Sequence, residues 1–248
     1  MLAPVDHWQC PTRGVKQNKA LSMSISDSIS RFTSYYSRHG FSGTLRRATL
    51  TCKRTLFANR MVVFYCDLSS YTADSTTIPS SLAVHRLTKA TELDPQVLQE
   101  MTSFWNPGLA RRNIKERFST GASLWLIRSE GQLAGYGWSL QSSSMEPYYF
   151  PLAHDDVHLF DFHVFPQFRG RGINPYLVTH ILGSLANTTR GRAFIEAAEW
   201  NHAQLSSLQK TPFCQLGKVR SFEVFGHRLT VWKKIATSRR LEIEGRRT

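Results

Sequence analysis

The stretch from Asp156 to Leu185 reads DVHLFDFHVF, PQFRGRGINP and YLVTHILGSL in three successive blocks of ten. Polar and apolar residues alternate in the first block as in a half-buried strand. In the last, apolar residues recur at helical spacing. Between them Pro166 ends the strand, because it cannot donate to a sheet ladder, and Gly170 and Gly172 admit backbone conformations and close ligand approach that side chains block. Such a turn opens a helix. Backbone N–H groups from about Phe168 to Ile173 can converge on an anion there, with the unsatisfied amides and the positive dipole end of the helix behind them. Arg169 and Arg171 add full charge, so a diphosphate is the natural guest. The alternative is a glycine-rich turn with two solvated arginines.

Working outward, the chain reads as strands at Ala83 to Leu87, Ser123 to Arg128, Gln132 to Leu140 and Ala193 to Glu199, with a last pair at Leu216 to Phe225 and Arg228 to Lys233. Helices fall at Asp94 to Trp105, Leu109 to Phe118 and onward from Asn201, and Glu130-Gly131 is a hairpin signal. This order, with a strand-helix-strand crossover at the ligand turn, predicts an α+β fold with a mixed sheet. Ahead of it, residues 1–22 are polar and unpatterned and read as a disordered tail. Residues 23–81 read as a basic extension of helices and one strand, Met61 to Leu68, followed by a Ser/Thr-rich linker. Its second apolar stripe, Phe41, Leu45, Ala48, Cys52 and Leu56, carries Arg46, Arg47, Lys53 and Arg54 around it. A helix of that kind packs on its own domain or lies on an anionic surface.

Charge and composition limit the function classes. The 248 residues carry a formal net charge of +13, of which residues 1–81 hold +6, residues 82–235 hold +5 and the basic tail 236–248 holds +2. An anionic partner or membrane surface for the extension is one reading of this excess and simple solubility the other; nucleic acid is not the expected partner. Hydrophobic content of 41% is that of a globular protein, and no apolar run approaches the roughly 20 residues of a membrane span. The N-terminus lacks a secretory pattern, so the expected compartment is the cytoplasm, with peripheral attachment to a membrane as the alternative. Cys10, Cys52, Cys66 and Cys214 are scattered without a C-x-x-C pair, and neither a disulfide framework nor a metal site is expected.

Three motifs carry a family resemblance. Gln167-Phe168-Arg169-Gly170-Arg171-Gly172 resembles the (Gln/Arg)-x-x-Gly-x-(Gly/Ala) acyl-CoA signature of the GNAT superfamily of N-acyltransferases, and Val164-Phe165-Pro166 resembles its V-x-P lead-in. A second frame from Arg169 fits except at Asn174. Ile195-Glu196-Ala197 resembles the family's L-E-V, and the segment from Asn201 to Phe213 is similar to N-x-x-A-x-x-x-Y-x-K-x-G-F at Asn201, Lys210 and Phe213. The resemblance spans roughly Leu82 to Lys234 and implies a GNAT-like domain over 82–235, with a mixed, mostly antiparallel sheet flanked by helices.

The implied activity is transfer of an acetyl group from acetyl-CoA to a primary amine, on a small molecule or amino sugar, by direct attack on the thioester. The resemblance assigns cofactor contacts to Val164, Gln167, Phe168, Arg169, Gly170, Arg171, Gly172, Ile173 and Asn201. Glu196 is the candidate base. Asp161 is the competing catalytic candidate, and His163 shares its strand face by the period of two. Trp105, Asn106, Arg111 and Arg112 fall where the family's first helices border the acceptor. Two positions depart from the pattern: Leu208 replaces the tyrosine that often protonates the leaving thiolate, and Pro212 stands where glycine is usual. The other function class is therefore a catalytically weak acyl-CoA-binding or scaffold protein that docks through its basic extension.

Overall fold

A computed structural model of the chain describes residues 60–72, 81–103, 107–145, 148–224 and 227–234. The readings of residues 1–59, most of the linker, Trp105, Asn106 and the tail 236–248 lie outside the described residues.

Eight strands form one sheet in the order β2-β3-β4-β5-β6-β1-β7-β8. They are β1 (Arg60–Asp67), β2 (Leu82–Leu87), β3 (Ser123–Ser129), β4 (Gln132–Gln141), β5 (Val157–Val164), β6 (Arg192–Ala198), β7 (Cys214–Val224) and β8 (His227–Lys234). All neighbours are antiparallel except β5 and β6. The helices are α1 (Pro95–Thr102), α2 (Pro107–Ser119), α3 (Ile173–Ala186) and α4 (His202–Leu208).

Local chemistry explains several of these elements. Glu130 and Gly131, at φ of 50° and 79°, make the tight turn between β3 and β4 that two left-handed residues favour. Asp94 caps α1 by accepting from the N–H groups of Gln96 and Val97, with Pro95 in the first turn, where a missing N–H costs no hydrogen bond. α3 buries Leu177, Val178, Ile181, Leu182 and Leu185 against the sheet, joining Leu124, Ile127, Leu159 and Leu208 in the main core. Each fully buried leucine there contributes about 1.5–3 kcal/mol of transfer free energy.

One sequence-based assignment changes. The strand read at Met61 to Leu68, placed in the extension, is an interior strand of the sheet. β1 pairs Val63 with Glu196 of β6 on one side and with Gly217 of β7 on the other, and Val63 is fully buried. The boundary drawn at Leu82 therefore falls inside the sheet. Strand pairing follows side-chain burial and hydrogen bonding rather than chain adjacency, and a short strand far from its partners carries no local sign of where it inserts.

β5 is irregular where it matters. Its register on β4 shifts between Tyr136, which faces His163, and Trp138, which faces Phe160. The extra residue is accommodated at Asp161, whose φ is 50°. On the other side, pairing with β6 stops at Leu159 opposite Ile195, although both strands run further. Beyond that point the two strands part.

Gly137 is the partner of this bulge. A methyl group there would lie 2.4 Å from a ring carbon of Phe162, so the glycine makes room for the ring. Gly137→Ala is expected to lower the unfolding free energy by about 1–3 kcal/mol, the usual cost of overpacking. An earlier denaturant midpoint checks this; an unchanged midpoint would mean that the Phe162 ring turns aside freely.

Candidate functional site

At the end of β5 the chain makes a single 3-10 turn, Pro166–Phe168, in which the N–H of Phe168 donates to Phe165 O at 2.9 Å and that of Arg169 to Pro166 O at 3.3 Å. Those two amides point inward, and the Phe168 side chain is buried. The converging set lies further along than the sequence suggests. The N–H groups of Gly170, Arg171, Gly172, Ile173 and Asn174 have no acceptor among the described residues. Pro175 has no N–H to offer, and Tyr176 N returns to Gly172 O at 3.2 Å. Gly170 and Gly172 sit at φ of 78° and 74°, and a Cβ on either would meet nothing within 4 Å. Their freedom of φ is used, and the space above them is open. α3, with 14 residues, points its positive end into that space.

The side chains divide differently from the residue types. Arg169 bends back, its Nε donating to Val164 O at 3.1 Å, and partial burial pulls its pKa down from the usual value. Gln167 and Arg171 are exposed, with the Arg171 guanidinium over the Phe168 ring at 5.7 Å. Asn201 caps α4: its Oδ1 accepts from Gln204 N at 3.2 Å and its Nδ2 donates to Gln204 Oε1 at 3.1 Å. Both ends of that amide are engaged by one glutamine. Leu208 is fully buried in the main core.

On the other face of the sheet from the turn of α3 lies a buried polar group. Glu196 Oε2 accepts from Tyr148 Oη at 2.6 Å and pairs with His158 Nε2 at 2.8 Å, with the His158 and Glu196 side chains only 7% and 4% exposed. The His158 ring lies 5.1 Å from that of Tyr148 and stacks on Phe160 at 5.2 Å. Asp161 does not join Glu196. Arg117 of α2 bonds its carboxylate, and the same guanidinium covers Phe160. His163 stacks on Tyr136 at 5.4 Å. A small solvent-open pocket between α1, α2 and β4 is lined by Met101, Asn113, Tyr136 and Trp138 together with Arg117 and Asp161. Arg111 and Arg112 are exposed on α2.

His158, Tyr148 and Arg117 are the residues the sequence reading missed. Strict alternation sets His158 and Phe160 on one face of β5 and Asp161 and His163 on the other. The bulge cancels that parity, since Arg117 touches both Phe160 and Asp161. A histidine in the D-V-H-L-F-D segment was the available signal; its partner Glu196, and the Tyr148 that meets the same carboxylate, come from distant parts of the chain. Among the described residues no group of His, Cys, Asp and Glu could hold a metal ion, and no helix is long and apolar enough to cross a membrane.

The sheet thus parts between its central strands β5 and β6 beside an open, amide-lined turn at the N-terminus of α3. Residues 90–210 match the family model of the acetyltransferase (GNAT) family, and this part of the chain is a domain of that family. No curated protein matches the chain. Among solved structures it is similar to a tandem GNAT protein from the clavulanic acid biosynthesis pathway, at 14% identity and a TM-score of 0.46, covering 63% of this chain and 50% of that one. It is also similar to an acetyltransferase from the GNAT family of Colwellia psychrerythraea, at 11% identity and a TM-score of 0.47, covering 71% and 56%. A third is a GNAT family acetyltransferase from Elizabethkingia anophelis with acetyl-CoA bound, at 15% and 0.38, covering 53% and 75%. The chain thus spans about half the length of the first two. The family assignment rests on the sequence match.

Proposed function

We propose that this chain is an acyl-CoA-dependent N-acyltransferase that moves an acetyl group from acetyl-CoA to a primary amine, on a small molecule or an amino sugar. The observation that supports it most is the run of unpartnered backbone N–H groups from Gly170 to Asn174, set at the mouth of the gap between β5 and β6. The diphosphate of CoA takes those amides, with Arg171 beside it. The pantetheine arm then follows the backbone of Phe160 to Val164, which β6 leaves uncovered.

In the reaction the amine nitrogen attacks the thioester carbonyl carbon, the oxyanion collapses, the C–S bond breaks and the nitrogen loses a proton. A substrate ammonium with a pKa of about 10 is mostly protonated at neutral pH, so a base is required. The Glu196–His158 pair supplies it. A carboxylate that holds the Nε2–H leaves the other ring nitrogen as the basic one, and Tyr148 steadies the same carboxylate oxygen. The thiolate leaves without an acid at position 208, which is acceptable because its pKa is near that of a free thiol, about 8.5.

The test is release of free CoA thiol from acetyl-CoA and longer acyl-CoAs against a panel of primary amines that includes amino sugars. Release above the rate of simple hydrolysis with a subset of amines is the expected result. Buried Leu208 favours a second reading, an acyl-CoA-binding scaffold. CoA binding with no acceptor in the whole panel would select it.

A further inference from the structure

Asp161 and Glu130 are the non-glycine residues with positive φ among the described residues, and only Asp161 lies inside a strand. A left-handed residue costs roughly 1–2 kcal/mol for most side chains, less for aspartate, and persists only where its surroundings over-determine it. Those surroundings are Arg117. Its side chain is 10% exposed and that of Asp161 7%. The guanidinium lies 5.1 Å from the Trp138 ring and 5.3 Å from the Phe160 ring, so it rests over two aromatic rings as it bonds the carboxylate. Trp138 is itself fully buried and backed by Phe118 of α2 at 5.1 Å.

Stability alone does not account for this arrangement. Desolvating two charges offsets most of their attraction, and apolar residues of similar volume usually replace a buried ion pair with no loss. What the pair does that an apolar contact would not is hold one backbone conformation. With Asp161 pinned, Phe162 to Val164 run away from β6, and the gap that begins after Leu159 stays open.

We propose that the Arg117–Asp161 pair is a latch that ties α2 to the β5 bulge and sets the width of the opening between β5 and β6. Arg117 is a positioning residue for the cofactor arm, and Asp161 serves the latch and not the proton. This rests on the reading of the opening as the acyl-CoA slot.

Calorimetric titration of CoA into the full chain and into Arg117→Met, Asp161→Asn and the double variant tests it. Each single change leaves one buried charge without its partner and risks the fold. The double variant buries no unpaired charge and is expected to keep the unfolding midpoint. Its CoA affinity is expected to fall by about tenfold or more, the range of coupling within one network, with Arg117→Lys falling between it and the wild type. A folded double variant that binds CoA as the wild type does overturns the latch alone. A wild type that does not bind CoA overturns both the latch and the acyl-CoA reading.

Discussion

Glu196→Gln is expected to lower kcat/KM by roughly a hundred- to ten-thousandfold, the range for a positioned acid or base, while CoA affinity stays nearly intact. The glutamine keeps the size of the side chain and can still meet Tyr148, which donates at 2.6 Å in the wild type. It cannot hold His158 with a negative charge. Because Leu208 offers no acid, the wild-type rate should rise with pH through a single base ionisation and show little alkaline fall. In Glu196→Gln that rise should flatten or move. Asp161→Asn separates the roles: it should change CoA affinity through the latch, whereas Glu196→Gln should change turnover. A loss of turnover at Asp161 larger than at Glu196, with CoA binding unchanged, would transfer the base to Asp161.

The second large effect is expected at the turn. Gly172→Glu should weaken CoA binding roughly thirty- to seven-hundredfold. The estimate is a like charge near the diphosphate, costing about 2–4 kcal/mol at the effective dielectric of a protein surface. Gly172 has φ of 74°, and a Cβ there would meet nothing within 4 Å, so the substitution adds backbone strain and a charge but no clash at its Cβ. Gly172→Ala is the control, since it carries the conformational strain and not the charge. Calorimetry should rank wild type, alanine and glutamate in order of falling affinity. Equal affinity in all three would place the diphosphate elsewhere.

Much of the fold was written locally. The strand-turn-helix of Asp156 to Leu185 and the Glu130-Gly131 hairpin are short-range arrangements, set by backbone sterics and by hydrogen bonds a few residues apart, and each stands where the residues predict it. The open turn at Gly170 and Gly172 belongs with them, because only residues without a Cβ adopt those angles freely. The family was legible for the same reason, since its motifs are local.

Tertiary structure decided the rest. Met61 to Leu68 reads as a strand from its own residues, but the place of β1 between β6 and β7 depends on partners more than a hundred positions away along the chain. The bulge at Asp161 is accommodated by Gly137 on one neighbour and Arg117 on a helix, and it brings Asp161 to Arg117 beside Phe160, against the parity of the strand. Asn201, matched to a cofactor contact by motif, closes a helix end, and Glu196, matched by motif, acquires Tyr148 and His158 as partners. Residue types and spacing determine what a side chain can do. Which of those things it does is set by burial and by the groups that the folded chain brings within 3 Å.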